Sequence, residues 1–156
     1  MGALAEFASI LHPLTVHLHV ALLTMGFVMM LTWLFKGLGT AVFENRLHAL
    51  AHRFTLWGVV FLVLSMAAGI HDGLRGRIVA FRDPLGRWLY VKVALAVVCF
   101  LVYVQFVRLS NRRREYLQEQ PRLMAWCLAA QVVGYLLVLV ISYLGTALVY
   151  HPKLLP

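Results

Sequence analysis

Seven histidines stand in a chain with only six acidic residues, and their placement is the feature most able to do chemistry. His12, His17 and His19 fall in the first long apolar run, His48 and His52 near the start of the second, His71 at its end, and His151 at the end of the last. Imidazole ligates haem iron and other transition metals, and it carries protons near neutral pH. Carboxylates near the first group are limited to Glu6 and Asp72. Hence no paired-carboxylate, Ser-His-Asp or phosphate-loop arrangement is found. Cys99 and Cys127 both lie inside apolar segments, with no C-x-x-C or C-x-x-C-H spacing. Disulfides, structural zinc and covalently attached haem therefore lack sequence support.

The elements that must position these histidines are membrane helices. The chain has 156 residues, of which 62% are hydrophobic and 13% charged, and its mean hydropathy is +0.83. That composition is built for lipid. A spanning helix takes roughly 20 apolar residues, and four fit, at about 13–36, 47–71, 88–108 and 123–150. Pro13 suits the first turn of a helix, and Gly37 and Gly39 are expected to stop it. Asp83-Pro84-Leu85-Gly86 reads as a turn in the arginine-rich loop before the third helix. The expected fold is an all-α integral membrane four-helix bundle, 1–156 forming a single transmembrane domain. No basic n-region or cleavage site marks a signal peptide, and Glu6 breaks the myristoylation pattern.

Four spans put both termini on one face of the bilayer, side A, together with the loop between the second and third helices. Side B carries Lys36, Arg46, Arg53, Arg108, Arg112, Arg113, Arg114 and Arg122, against six Lys and Arg on side A. The Arg112–Arg114 triplet directly at a helix end makes side B the cytoplasmic face by the positive-inside rule. Both termini are then periplasmic, in a bacterial inner membrane. The net charge of +8 is read as serving lipid headgroups and topology rather than nucleic acid, because the cations are not interleaved with aromatics.

Five of the seven histidines map to side A, and ionisable groups inside an apolar boundary call for a functional explanation. At 100° per residue, His12, His19 and Gly26 share one face of the first helix, while His17 points nearly the opposite way. Gln131, Gly134, Val138, Ser142 and Gly145 make a small-residue face on the fourth helix, and Gly58, Ser65 and Gly69 one on the second. Such stripes either let helices approach closely or make room for a flat macrocycle. Haem b takes one or two axial ligands, usually His, and cations near its propionates. His17 and His19, opposed by His71 and His151, are the expected ligands, with Arg75, Arg77 and Arg87 among the cations. Thr15, Thr24, Ser142 and Tyr143 are candidate partners for the rings' other N–H. One haem is preferred to two. His48 and His52 share a face, but side B offers them no histidine from another helix, and a second haem there would need a Met such as Met124 or another chain.

The opening LHPLTVHLHVALL resembles a bacterial membrane family whose members begin HP-x-x-VHFPIALL and end near GG-x-LVY-x-H. His12, Pro13, Val16, His17, Ala21, Leu22 and Leu23 match the first motif, and Leu148, Val149, Tyr150 and His151 the second. AAGIHDGL, through Gly69 and Asp72, is similar to the family's AAxxGLxD. His19 stands where the family usually has Pro, and His71 precedes the Asp, so the chain looks like a small cytochrome b subunit. WLYVKVALAVVCFLVY looks like the W-x-x-x-K helix of bacterial haem-binding protoporphyrinogen oxidases, with Trp88 and Lys92 matching.

The expected function is a haem b-binding electron-transfer subunit of a larger redox or respiratory complex. It would link a periplasmic-side partner to quinone or another chain, anchoring and wiring catalysis rather than performing it. A protoporphyrinogen oxidase-like enzyme and a structural or metal-binding subunit without haem are the alternatives.

Overall fold

The structure is a computed structural model that describes the backbone of residues 3–75, 84–112 and 117–150, and side chains over 13–71, 86–111 and 117–147. It consists of helices α1 (Ala3–Thr40), α2 (Asn45–Arg75), α3 (Pro84–Arg112) and α4 (Pro121–Tyr150), with one short 3-10 turn, Leu117–Glu119, ahead of α4. All four helices are long and apolar enough to cross a membrane, over Pro13–Thr40, Asn45–His71, Gly86–Asn111 and Pro121–Ala147. The all-α membrane bundle expected from composition is what forms.

The boundaries differ from expectation where glycine and proline were read as punctuation. Pro13 lies inside α1, which already runs from Ala3. Pro84 opens α3 instead of forming a turn, and Pro121 opens α4. Both sit where a missing N–H costs no helical hydrogen bond. Gly37 and Gly39 do not stop α1, which continues to Thr40 and turns at Ala41, in the left-handed region at φ 55°. Gly37 instead makes room for a ring, since a Cβ there would lie 2.2 Å from the Phe43 side chain. The turn is held by Thr40 Oγ1 donating to the Lys36 carbonyl at 2.8 Å and by an exposed Lys36–Glu44 ion pair. At the start of α4, Gln120 accepts the Met124 N–H at 2.9 Å.

Packing is closest between α1 and α2 and between α3 and α4, and the small residues create both seams. A Cβ on Gly26 would come within 2.5 Å of Thr55 Oγ1, and one on Gly58 within 2.6 Å of Leu23. A Cβ on Gly134 would lie 2.7 Å from the Tyr103 ring. In these three places the space is taken by a neighbouring helix, which is the close-approach reading of the glycine stripes. Phe27 of α1 stacks on Tyr135 of α4, with ring centroids 4.4 Å apart. Two apolar clusters fill the interior. Leu23, Val59, Leu62, Ala96, Cys99, Tyr103, Val138 and Ile141 form the one nearer side A. Met30, Trp33, Ala51, Phe106, Leu117 and Cys127 form the one nearer side B.

Candidate functional site

The two deep histidines of α1 are held by their own helix. His17 Nδ1–H donates to the Pro13 carbonyl at 2.6 Å, and His19 Nδ1–H to the Thr15 carbonyl at 3.0 Å. A carbonyl only accepts, so Nδ1 carries a proton in both rings, and in the neutral form of such a ring the lone pair is on Nε2. A ligating imidazole is commonly held in this way, one ring nitrogen tied so that the other can bind a metal. These ties are to backbone carbonyls one turn back, where the sequence offered hydroxyls as candidates. Thr24 spends its hydroxyl on the Val20 carbonyl at 2.7 Å, and Tyr143 is exposed.

The rings look to different surroundings, as two residues of a helix must. His19 is 5% exposed, one turn from Leu23 and the apolar cluster nearer side A, whereas His17 is exposed on the outer face of the bundle. Helix register separates them from the proposed opposing ligand on α2. Gly26 meets Thr55, Gly58 meets Leu23, and Trp33 meets His48, so α1 and α2 run antiparallel with a fixed register. At 1.5 Å per residue, His71 then lies about 13 Å nearer side A than His19 and about 10 Å nearer than His17. It is level with the stretch of α1 that carries His12, and its side chain is exposed. Among the described residues no three of His, Cys, Asp or Glu gather as a metal site. Arg87 is exposed at the side A end of α3. His151 and Arg77, with the side chains of His12 and Arg75, lie outside the described residues.

Lys92 points from α3 into the seam with α4, its Nζ 3.0 Å from where a Cβ on Gly145 would stand. Gly145 thus makes room for an amine, where Gly26, Gly37, Gly58 and Gly134 face a hydroxyl, a phenyl ring, a leucine side chain and a phenol ring.

A second polar group lies near side B. His48, His52 and Thr55 follow the 48, 52, 55 spacing of the buried face of α2, and all three are under 4% exposed. Ser110 of α3, fully buried, sits between the two imidazoles, its Oγ 3.1 Å from His48 Nε2 and 3.1 Å from His52 Nδ1. The Trp33 ring lies 5.5 Å from that of His48. One turn deeper, Gln131 Nε2 donates to Thr55 Oγ1 at 2.8 Å. Trp33 Nε1, Gln131 Oε1 and Tyr103 Oη are buried without a partner among the described residues. Each such group costs about 1–3 kcal/mol unless satisfied, and a lipid-embedded bundle can satisfy it only from within. Sequence reasoning passed over this group because it sought another histidine for His48 and His52. A partner they share is a serine some sixty residues away, and the usable signal was two ionisable side chains on the apolar face of a spanning helix.

A family model described as "Predicted membrane protein (DUF2231)" matches residues 8–154. The chain belongs to this family. The DUF2231 match extends from before His12 to beyond His151, so α2, α3, α4, α1 from residue 8 onward and every histidine named above fall within it. No curated protein and no solved structure matches the chain.

Proposed function

We propose that this DUF2231 protein is a membrane-embedded electron-transfer subunit in which His17 would hold haem b at side A. The observation that carries the reading is an exposed imidazole on a membrane span whose Nδ1–H is tied to the Pro13 carbonyl at 2.6 Å. An ionisable ring facing outward from a spanning helix calls for a cover, and the ring is already set to offer Nε2. His17 has the open side that a macrocycle needs. His19, enclosed by packed side chains, acts as an inner polar neighbour or as the ligand of a tighter site. His71 stands about 10 Å further along the helix axis than His17, so a second residue holding the group would be His151 or an imidazole of an adjoining chain. The exposed position of His17 would let an adjoining chain complete the site, in keeping with a subunit that wires a larger complex and passes electrons to a partner or to quinone. Haem, when bound, would supply one-electron chemistry; the Pro13 carbonyl orients His17, and Arg75, Arg77 and Arg87 would be the cations for the propionates.

Haem retained after purification in mild detergent, extracted into pyridine and compared across His17→Ala, His19→Ala and His71→Ala, tests the assignment. The reading requires the largest loss from His17→Ala. Equal haem content in all three would refute it.

The position of Lys92 favours the enzyme alternative, a protoporphyrinogen oxidase-like activity. An amine lodged in the seam at Gly145 could receive a propionate-bearing substrate, and Lys92→Met would then abolish turnover while sparing the fold.

A further inference from the structure

The outer face where α3 packs on α4 carries a cleft of about 510 Å³, which shares no residue with the site at side A. Its walls are apolar over most of their length, with Leu101 and Val104 on α3 and Ala129, Ala130 and Val133 on α4. The two alanines open it, because between Trp126 and Val133 they leave a gap in the row of large side chains. Toward side B stand Gln105, Arg108 and Trp126. Trp126, 67% exposed, also walls a neighbouring hollow lined by Arg122, so the two hollows meet at this ring.

The depth of the cleft follows from helix register. Tyr103 packs at Gly134 and Lys92 at Gly145, and both pairs set Leu101 level with Leu136 and Arg108 level with Ala129 in antiparallel helices. Leu136 lies near the middle of the Pro121–Ala147 span. From that level to Trp126 the cleft runs about 15 Å at 1.5 Å per residue, which is half of a hydrocarbon core of about 30 Å. It is as long as one leaflet is deep. Its outer end is a tryptophan, a residue enriched at the membrane–water interface.

Arg108 sets the chemistry of the occupant. It is exposed and stands one turn inside the end of the Gly86–Asn111 span. A guanidinium placed there reaches outward along its stem and calls for an anion. Neither α3 nor α4 contains a carboxylate. Among the described residues neither Arg108 nor Arg122 is in an ion pair. The partner that fits has a negative head at the side B surface and an apolar body one leaflet long.

We infer that this cleft is a binding site for an anionic phospholipid of the side B leaflet. Arg108 holds the phosphate, Arg122 adds charge at the outer rim, and an acyl chain lies over Ala129 and Ala130 toward Leu101. A guanidinium takes phosphate through two parallel N–H donors, and basic pockets between membrane helices on the cytoplasmic side are suited to acidic headgroups.

The test is native mass spectrometry of the full chain, purified in mild detergent, stripped of lipid and titrated with phosphatidylglycerol or phosphatidylcholine of identical acyl chains. Phosphatidylglycerol is expected to bind about tenfold more tightly, from the charge of two arginines. Arg108→Gln with Arg122→Gln should abolish that preference. Arg46→Gln with Arg53→Gln, which removes the same charge from the exposed side B end of α2, should keep it. Ala129→Phe, which fills the cleft on an exposed face, should weaken both lipids without lowering the unfolding midpoint. Equal affinity for the two lipids would overturn the inference, as would a preference that survives loss of Arg108 and Arg122. So would occupation of the cleft by ubiquinone or by a second copy of the chain in place of lipid. None of these readouts depends on haem.

Discussion

Replacing a glycine in this protein has opposite consequences depending on what faces it. At Gly26 a methyl group would press on Thr55 Oγ1 at 2.5 Å and on the Ala51 carbonyl oxygen at 3.3 Å, and the carbonyl cannot swing away as a side chain can. Gly26→Ala is expected to destabilise by about 1–3 kcal/mol through overpacking. Gly39, with nothing within 4 Å of its would-be Cβ and a place inside α1, should gain up to about 1 kcal/mol as alanine from helix propensity. Thermal unfolding of both variants in detergent measures the pair, and a fall in midpoint for Gly39→Ala would contradict the account. At this scale the sequence was readable in residue type more than in partner. The spacing of Gly26 from His19 indicated a shared face, but only the neighbouring helix shows that Thr55 fills it. Likewise the two α1 imidazoles were legible as candidates, while their ties to Pro13 and Thr15 follow from a rotamer that no spacing dictates.

Among the elements, the α1–α2 connection shows why helix ends were the least legible part of the fold. Gly37 and Gly39 carry the composition of a stop, yet α1 continues through both, because tertiary contact with Phe43 outweighs local preference. The reversal falls on Ala41, a residue with no sequence signature for φ 55°. An alanine in that conformation carries roughly 1–2 kcal/mol of strain, more than the extra unfolded-chain freedom of glycine, about 0.4–1 kcal/mol. Ala41→Gly should therefore raise the unfolding midpoint. The adjoining Lys36–Glu44 pair is half exposed on both sides, and Glu44→Gln should change stability by less than about 1 kcal/mol. The four spans themselves were readable, since a run of apolar residues long enough to cross a bilayer has few other folds open to it. What joins them across the bundle, such as Ser110 to His48 and His52, depends on register between α2 and α3 and leaves no local trace.

For the whole molecule, the polar content divides by depth. Side A carries imidazoles held by α1 and an amine at Gly145, and side B carries a hydroxyl between two imidazoles, with a layer of Leu23, Val59 and Leu62 between the two ends. The proposed sidedness, with side B cytoplasmic, is open to a direct check because both native cysteines are fully buried. A single Arg122→Cys variant should react with a membrane-impermeant maleimide only after cells are opened. Labelling of intact cells would reverse the orientation. The most direct measurement of the central claim is the reduced-minus-oxidised absorbance spectrum of the protein isolated from its own membranes in mild detergent with its bound partners. The account predicts a b-type α band that is lost in His17→Ala, and a spectrum with no such band in the unaltered protein would contradict it.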